Sequence, residues 1–307
     1  MEEPNNSYES MKNKHGSLAK STNKINLETT RIKKIISPVD FSEAASNAVE
    51  YAAKLAVFFD AELTLLHAVN EMAFRNIFNA KNELSSDAKM KRVKKRLSVY
   101  CAETADKYAV ECKPLVKVFS TDMETGIDEE VVTKNYDLLV MGTHGTRNEG
   151  QYFLNANAYG VIRKVSCPLW LVPEGCKFTK PQDIVYATNY QAGDLAALES
   201  LLKITKPFHS EITVLHASKK QTKKSKDVFV FFQDLYRDKL AGQKLKFQRL
   251  VGDNLAKAID NYMIKGTPDL LVLLTHHYSI LETIFHDSFT KKVSLSARYP
   301  VLINKTY

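Results

Sequence analysis

Cysteine is scarce in this chain of 307 residues. The four present, Cys101, Cys112, Cys167 and Cys176, form no C-x-x-C pair and no zinc-type spacing. They read as buried free thiols, with Cys112 and Cys167 in or beside strand-like runs. Long apolar runs are missing too. None approaches the roughly 20 residues that a membrane-spanning helix needs, and the first residues lack the apolar segment of a secretory signal. The expected location is therefore the cytoplasm, with no membrane partner. Residues 1–31 contain almost nothing apolar. Such a stretch cannot bury enough surface to offset its ordering entropy, and it reads as a flexible tail.

What the chain does hold is an apolar fraction of 44% and a formal net charge of +8. The first suits a globular protein with a real core. Much of the second sits in two runs, Lys89–Arg96 and Lys219–Lys226. Neither run is interleaved with aromatic residues that would stack on bases. Solvated helix faces or loops are favoured over a nucleic-acid patch. Attraction to acidic partners is what the charge supports.

One stretch organises the rest, Tyr136-Asp-Leu-Leu-Val-Met-Gly-Thr-His-Gly145. Leu138 to Met141 reads as a buried strand. Gly142 and Gly145 follow it, and a helical pattern begins near Asn155. Strand, glycine turn and helix start together form an arrangement that suits an oxyanion. Glycines allow close backbone approach, and the helix start offers unpaired N–H groups.

Around that stretch the first part of the chain alternates strand and helix. Strands are expected at Lys34–Asp40, Glu62–Val69, Leu115–Phe119, Leu138–Met141 and Pro168–Pro173. Helices are expected from Ser42, which serves as an N-cap, and over Glu83–Tyr108, Glu124–Lys134 and Ala156–Val165. The order β-α-β-α-β-α-β-α-β implies a parallel sheet covered on both faces. Residues 174–181 read as a linker, after which the pattern restarts. Asp183–Asn189 matches Lys34–Asp40. Glu211-Ile-Thr-Val-Leu-His-Ala217 nearly repeats Glu62-Leu-Thr-Leu-Leu-His-Ala68, and Asp269-Leu-Leu-Val-Leu-Leu-Thr-His276 repeats Asp137-Leu-Leu-Val-Met-Gly-Thr-His144. Pro300–Ile303 answers Pro168–Leu171. The chain is thus expected to hold two copies of one domain, at 32–173 and 182–307.

With Pro38-Val39-Asp40-Phe41-Ser42, the Leu-Leu-His motif, Asp137–Gly145 and Cys167-Pro168-Leu-Trp-Leu-Val on the page, the chain resembles a tandem universal stress protein. The resemblance implies an α/β fold of two open five-stranded parallel sheets, flavodoxin-like or Rossmann-like, with helices on both faces. It implies that the domains pair along the fifth strand, here Pro168–Val172 and Pro300–Ile303, so that pairing is intramolecular in a monomer or homodimer. It also implies ATP held by a pattern of Gly, two residues, Gly, nine residues, then Gly and Ser or Thr. Adenine and ribose would lie near the ends of the first two strands, which is also where open α/β sheets place their ligands.

Carried over residue by residue, the ATP site of the first copy comprises Pro38, Val39, Asp40, Ala68, Met141, Gly142, His144, Gly145, Asn155 and Ala156. The nine-residue spacer, Thr146–Leu154, matches. The closing pair does not. Asn155 can still cap a helix but adds a Cβ, and Ala156 lacks the hydroxyl that would donate to a phosphate. One such lost bond is worth roughly 1.5–3 kcal/mol, or about one to two decades of affinity. In the second copy Asn189 replaces the acidic residue. Leu274 and His277 stand at the glycine positions, and Asp287-Ser288 closes the pattern with a charge that repels phosphate. That copy is not expected to bind ATP.

His67 and His216, at strand ends, read as structural histidines with satisfied partners. His276, His277 and His286 lack an acidic or thiol partner at ligand spacing, so no metal site is expected. No nucleophile, general base or metal ligand set marks a catalytic site. Two readings stand. One is a stress-response regulatory protein whose first domain binds ATP without robust catalysis. The other is a protein-interaction scaffold in which both sites are degenerate.

Overall fold

The computed structural model describes residues 32–71, 86–143, 160–188, 190, 194–220, 222–240, 242–275 and 298–305. They fall into two compact units. One comprises residues 31–179 and 290–303, the other 180–289 and 304–307.

The first unit contains β1 (Lys34–Pro38), α1 (Glu43–Phe59), β2 (Glu62–Asn70), α2 (Ser86–Tyr108), β3 (Cys112–Phe119), α3 (Met123–Lys134), β4 (Leu138–Thr143) and β5 (Leu169–Pro173). Residues 160–164 are helical. The strands run parallel in the order β3-β2-β1-β4-β5. The central strands are mostly apolar, as a sheet covered on both faces requires, and all six residues of β4 are buried. Against them α1 lays an alanine-rich face that includes Ala44, Ala45, Ala48, Ala52 and Ala56. Small side chains there let the helix backbone come close to the sheet. Tyr51 on this helix meets the only tryptophan, Trp170 of β5, with ring centroids 5.9 Å apart.

Each helix end has a local cause. Ser42 accepts from Ala45 N at 3.2 Å and starts α1, while Asp60 ends it in the left-handed conformation at φ 54°. Asp122 accepts from Thr125 N at 3.0 Å and starts α3, and Asn135 closes it at φ 54°. The far longer α2 is mostly polar. It anchors itself through Leu97, Cys101 and Thr104, which are buried at helical spacing.

Strand β3 begins three residues before its expected start at Leu115, because it pairs with β2 from Leu63↔Cys112 onward. Pro114 hides this in the sequence. A proline is tolerated in β3 because that strand ends the row and its free side needs no donor.

The second unit contains β6 (Asp183–Thr188), α4 (Asp194–Thr205), β7 (Glu211–Ser218), α5 (Lys223–Lys239), β8 (Leu245–Val251), α6 (Leu255–Gly266) and β9 (Leu270–Thr275). The strands are parallel in the order β9-β6-β7-β8. The basic run Lys219–Lys226 straddles the loop before α5 and its first turn. Thr222 and Ser225 cap that helix reciprocally, each side chain taking the other's backbone N–H.

The last strand of the chain is β10 (Val301–Lys305). It runs antiparallel to β5, with Val301↔Leu171, Leu302↔Trp170 and Ile303↔Leu169 in register. The two segments that the resemblance implied would meet are therefore hydrogen-bonded neighbours.

Candidate functional site

In the first unit the chain leaves β1 toward β2 and β3, then returns to place β4 on the other side of β1. Here the strand order reverses, and open α/β sheets hold their ligands beyond the carboxyl ends of the strands at such a point. The residues that follow β1 are fixed by several short bonds. Val39 N donates to Leu66 O at 2.8 Å. His67 Nδ1 lies 2.7 Å from the Val39 carbonyl, which makes it the satisfied strand-end histidine that the sequence implied. Asp40 Oδ1 accepts from Ser42 N at 2.9 Å, so the exposed carboxylate closes a tight turn that leads into α1. Between them Phe41 adopts φ 63°, a conformation uncommon for a bulky residue.

The sequence-derived positions separate by exposure. Asp40 is exposed, and Ala68 is half-buried beside Lys117 in register. Val39 and Met141 are 3% and 2% exposed. Their side chains belong to the core. Pro38 is the last residue of β1 and is buried. Thr143, also buried, ends β4, and its carbonyl accepts from Glu174 N at 3.0 Å. His144, Gly145, Asn155 and Ala156 lie outside the described residues.

Gly142 has a structural duty of its own. A Cβ built there would stand 2.4 Å from the carbonyl oxygen of Ala44 and 2.8 Å from its carbonyl carbon. Both are backbone atoms that cannot swing away. The glycine thus lets the first turn of α1 press onto β4. Gly160 differs, since the atoms 2.4 Å from its Cβ position belong to the flexible side chain of Glu124.

Sequence reasoning missed Phe41 as a wall of this region. Its ring lies 5.2 Å from His67 and 6.3 Å from Tyr100, and the Arg96 guanidinium sits over it at 4.0 Å. Nothing in the local sequence links Phe41 to Arg96 and Tyr100, more than fifty residues later.

The same place in the second unit is built differently. His216 Nδ1 lies 3.0 Å from Thr188 O, repeating the His67 contact. Beyond it Tyr190, at φ 59°, stacks between His216 at 4.5 Å and Phe232 at 4.8 Å. Tyr190 is buried, and its hydroxyl has no partner among the described residues. Burial of the pair pushes the His216 pKa below, and the Tyr190 pKa above, their ordinary values. Asp194, fully buried at the start of α4, accepts from Tyr186 Oη at 3.2 Å and from Thr188 Oγ1. An exposed carboxylate marks the end of β1, whereas a closed aromatic stack covers the end of β6. Asn189, His276, His277, His286, Asp287 and Ser288 lie outside the described residues. Leu274, at the first glycine position of the second pattern, is buried in β9.

Comparison with known proteins decides the family. Residues 31–173 match the model of the universal stress protein family. Residues 31–173 belong to the universal stress protein family. A universal stress protein of Methanocaldococcus jannaschii is 27% identical over 167 residues, spanning 46% of this chain and 94% of that protein. Another from the same organism is 27% identical over 150 residues, 46% of this chain and 81% of that protein. A universal stress protein from Archaeoglobus fulgidus of known structure superposes over 90% of this chain and 99% of its own, with a TM-score of 0.69 at 16% identity. That likeness establishes the fold, which extends beyond the universal stress domain into the second unit. Among the described residues no helix is long and apolar enough to cross a membrane.

Proposed function

We propose that this protein is a cytoplasmic stress-response regulator whose universal stress domain binds an adenine nucleotide, ATP, without robust turnover, and whose second unit binds none. The observation that carries the reading is the exposed Asp40 at the end of β1, beside β4 with its Gly142-Thr143, where the strand order reverses. A carboxylate in that place suits a ribose hydroxyl. The backbone after β4 would receive the phosphates through His144, Gly145, Asn155 and Ala156. In the second unit the stacked Tyr190 fills the equivalent space, which supports a domain that acts by contact alone.

The scaffold reading has one specific observation in its favour. Gly142 is needed for packing against Ala44, so its presence is accounted for without a ligand. Calorimetry with ATP separates the two. Binding at one site per chain, below about 1 mM and weakened roughly tenfold by Asp40→Asn, is the expected result. No heat of binding at millimolar ATP would establish the scaffold reading instead. Labelled-phosphate release under the same conditions tests turnover, and it is expected to stay near the uncatalysed rate.

A further inference from the structure

The Lys89–Arg96 run has no place in the nucleotide reading, yet it lies along α2 in a position that the dipole of that helix disfavours. Cations near a helix N-terminus cost stability. The first three turns of α2 nevertheless carry Lys89, Lys91, Arg92, Lys94, Lys95 and Arg96, against Asp87 alone. Arg92, Lys95 and Arg96 share one face with Val99 and Tyr100, at spacings of three, four and seven residues. This face and the start of α1 enclose a groove of about 480 Å³, walled by Phe41 and Ser46 on the other side. A volume of that size suits a small molecule.

The groove has two chemical halves. Its apolar half is the ring of Tyr100, which is half-buried, the ring of Phe41, and Val99, an exposed large hydrophobic at 50%. Its charged half is three cations, Arg92, Lys95 and Arg96, with the Glu103 carboxylate at the far end of the same helix face. Arg96 is committed to the face of Phe41 at 4.0 Å, a contact that still leaves its N–H edge free to donate outward. Arg92 and Lys95 have no ion-pair partner among the described residues. By contrast, Lys54, Lys113, Lys117 and Lys164 of the same unit are all paired with carboxylates. A planar guanidinium and an ammonium beside two aromatic rings complement an anion carried on an aromatic body.

We infer that the groove between α1 and α2 is a binding site for a small organic phosphate, with Arg92, Lys95 and Arg96 taking the phosphate and Phe41, Val99 and Tyr100 taking an aromatic or apolar body. The site is separate from the proposed nucleotide site and does not rest on that reading. Phe41 stands between the two, next in sequence to Asp40 and reached from α2 by Arg96.

The test uses the full chain and phenyl phosphate as probe, with inorganic phosphate and phenol as comparisons, followed by calorimetry at low salt. The site is expected to saturate with phenyl phosphate below about 5 mM and to bind either half of the probe at least tenfold more weakly. Arg92→Ala with Lys95→Ala should weaken phenyl phosphate at least tenfold. Both side chains are exposed and lie where the helix dipole disfavours cations, so the unfolding midpoint should not fall. Tyr100→Leu should weaken phenyl phosphate while leaving inorganic phosphate as it was. Three results would overturn the proposal. One is no saturation by the probe at 10 mM. Another is equal affinity for phosphate and phenyl phosphate, which leaves only a charged surface. The third is tighter binding of a single-stranded oligonucleotide that the double substitution abolishes, which makes the face a polyanion track.

Discussion

Asp137 and Asp269 hold the same pair of backbone N–H groups in the two halves of the chain. Asp137 Oδ2 accepts from Lys33 N at 2.8 Å and Lys34 N at 2.9 Å. Asp269 Oδ2 accepts from Gln182 N at 2.8 Å and Asp183 N at 3.0 Å. Each carboxylate immediately precedes one strand, β4 or β9, and clamps the start of its neighbour, β1 or β6. Replacing either by alanine is expected to cost about 1–2 kcal/mol, at the low end for bonds to a charged acceptor because these sites are exposed. Since the two belong to separate units, their effects should add in urea unfolding.

Lys117 of β3 reaches Glu130 of α3, and only 3% of Glu130 is exposed. The lysine also lies over the Phe119 ring at 5.5 Å. Lys117→Met would leave the carboxylate buried and alone, with an expected loss of about 3 kcal/mol. The double change Lys117→Met with Glu130→Leu should return most of it. A double change as damaging as the single one would show that packing, not charge, holds this corner.

His216 gives the second unit a pH dependence of known sign. Burial is the main cause of its lowered pKa, and the Arg249 charge adds to it, while the bond to Thr188 O works in the opposite direction. The folded state therefore keeps the ring neutral where the unfolded chain begins to take up a proton, near pH 6.5. Stability is whole above that pH and falls as the pH drops through the window below it. Amide exchange in β7, compared between pH 8 and pH 5, should show faster opening at the acid end. His216→Gln should flatten the difference.

Gly142→Ala should lower stability by about 2 kcal/mol or more, because the added methyl meets the Ala44 backbone and not a flexible side chain. The thermal midpoint checks it. Lost nucleotide binding in such a variant would report a displaced α1, so Asp40→Asn is the cleaner probe of the nucleotide site.

The repeated fold was open to reading because its signals are local and doubled. Asp-Leu-Leu-Val at the start of β4 and of β9, the paired Leu-His strand ends and the two closing strands each announce themselves within a few residues. Other features depend on segments far apart in the chain. The closeness of Gly142 to Ala44, Arg96 over Phe41 and Tyr190 between His216 and Phe232 all come from helix placement. Two helices of the second unit, Lys223–Lys239 and Leu255–Gly266, were not expected from the sequence. The first opens with lysines where the dipole favours acids, and a Thr–Ser pair caps it in place of the usual acidic partner. Of the sequence-derived positions, those of β1, β2 and the end of β4 lie on adjacent strands of the sheet.

The antiparallel pairing of β10 with β5 has a consequence for synthesis. Leu171 leaves the ribosome about 130 residues ahead of Val301, its partner. At roughly 5–20 residues per second, the flank of β5 then stays uncovered for about 6–26 seconds. An apolar strand bare for that long invites pairing with the wrong neighbour. Trp170 sits on that flank opposite Leu302, so the emission of a lone indole can time the closing of the nascent chain.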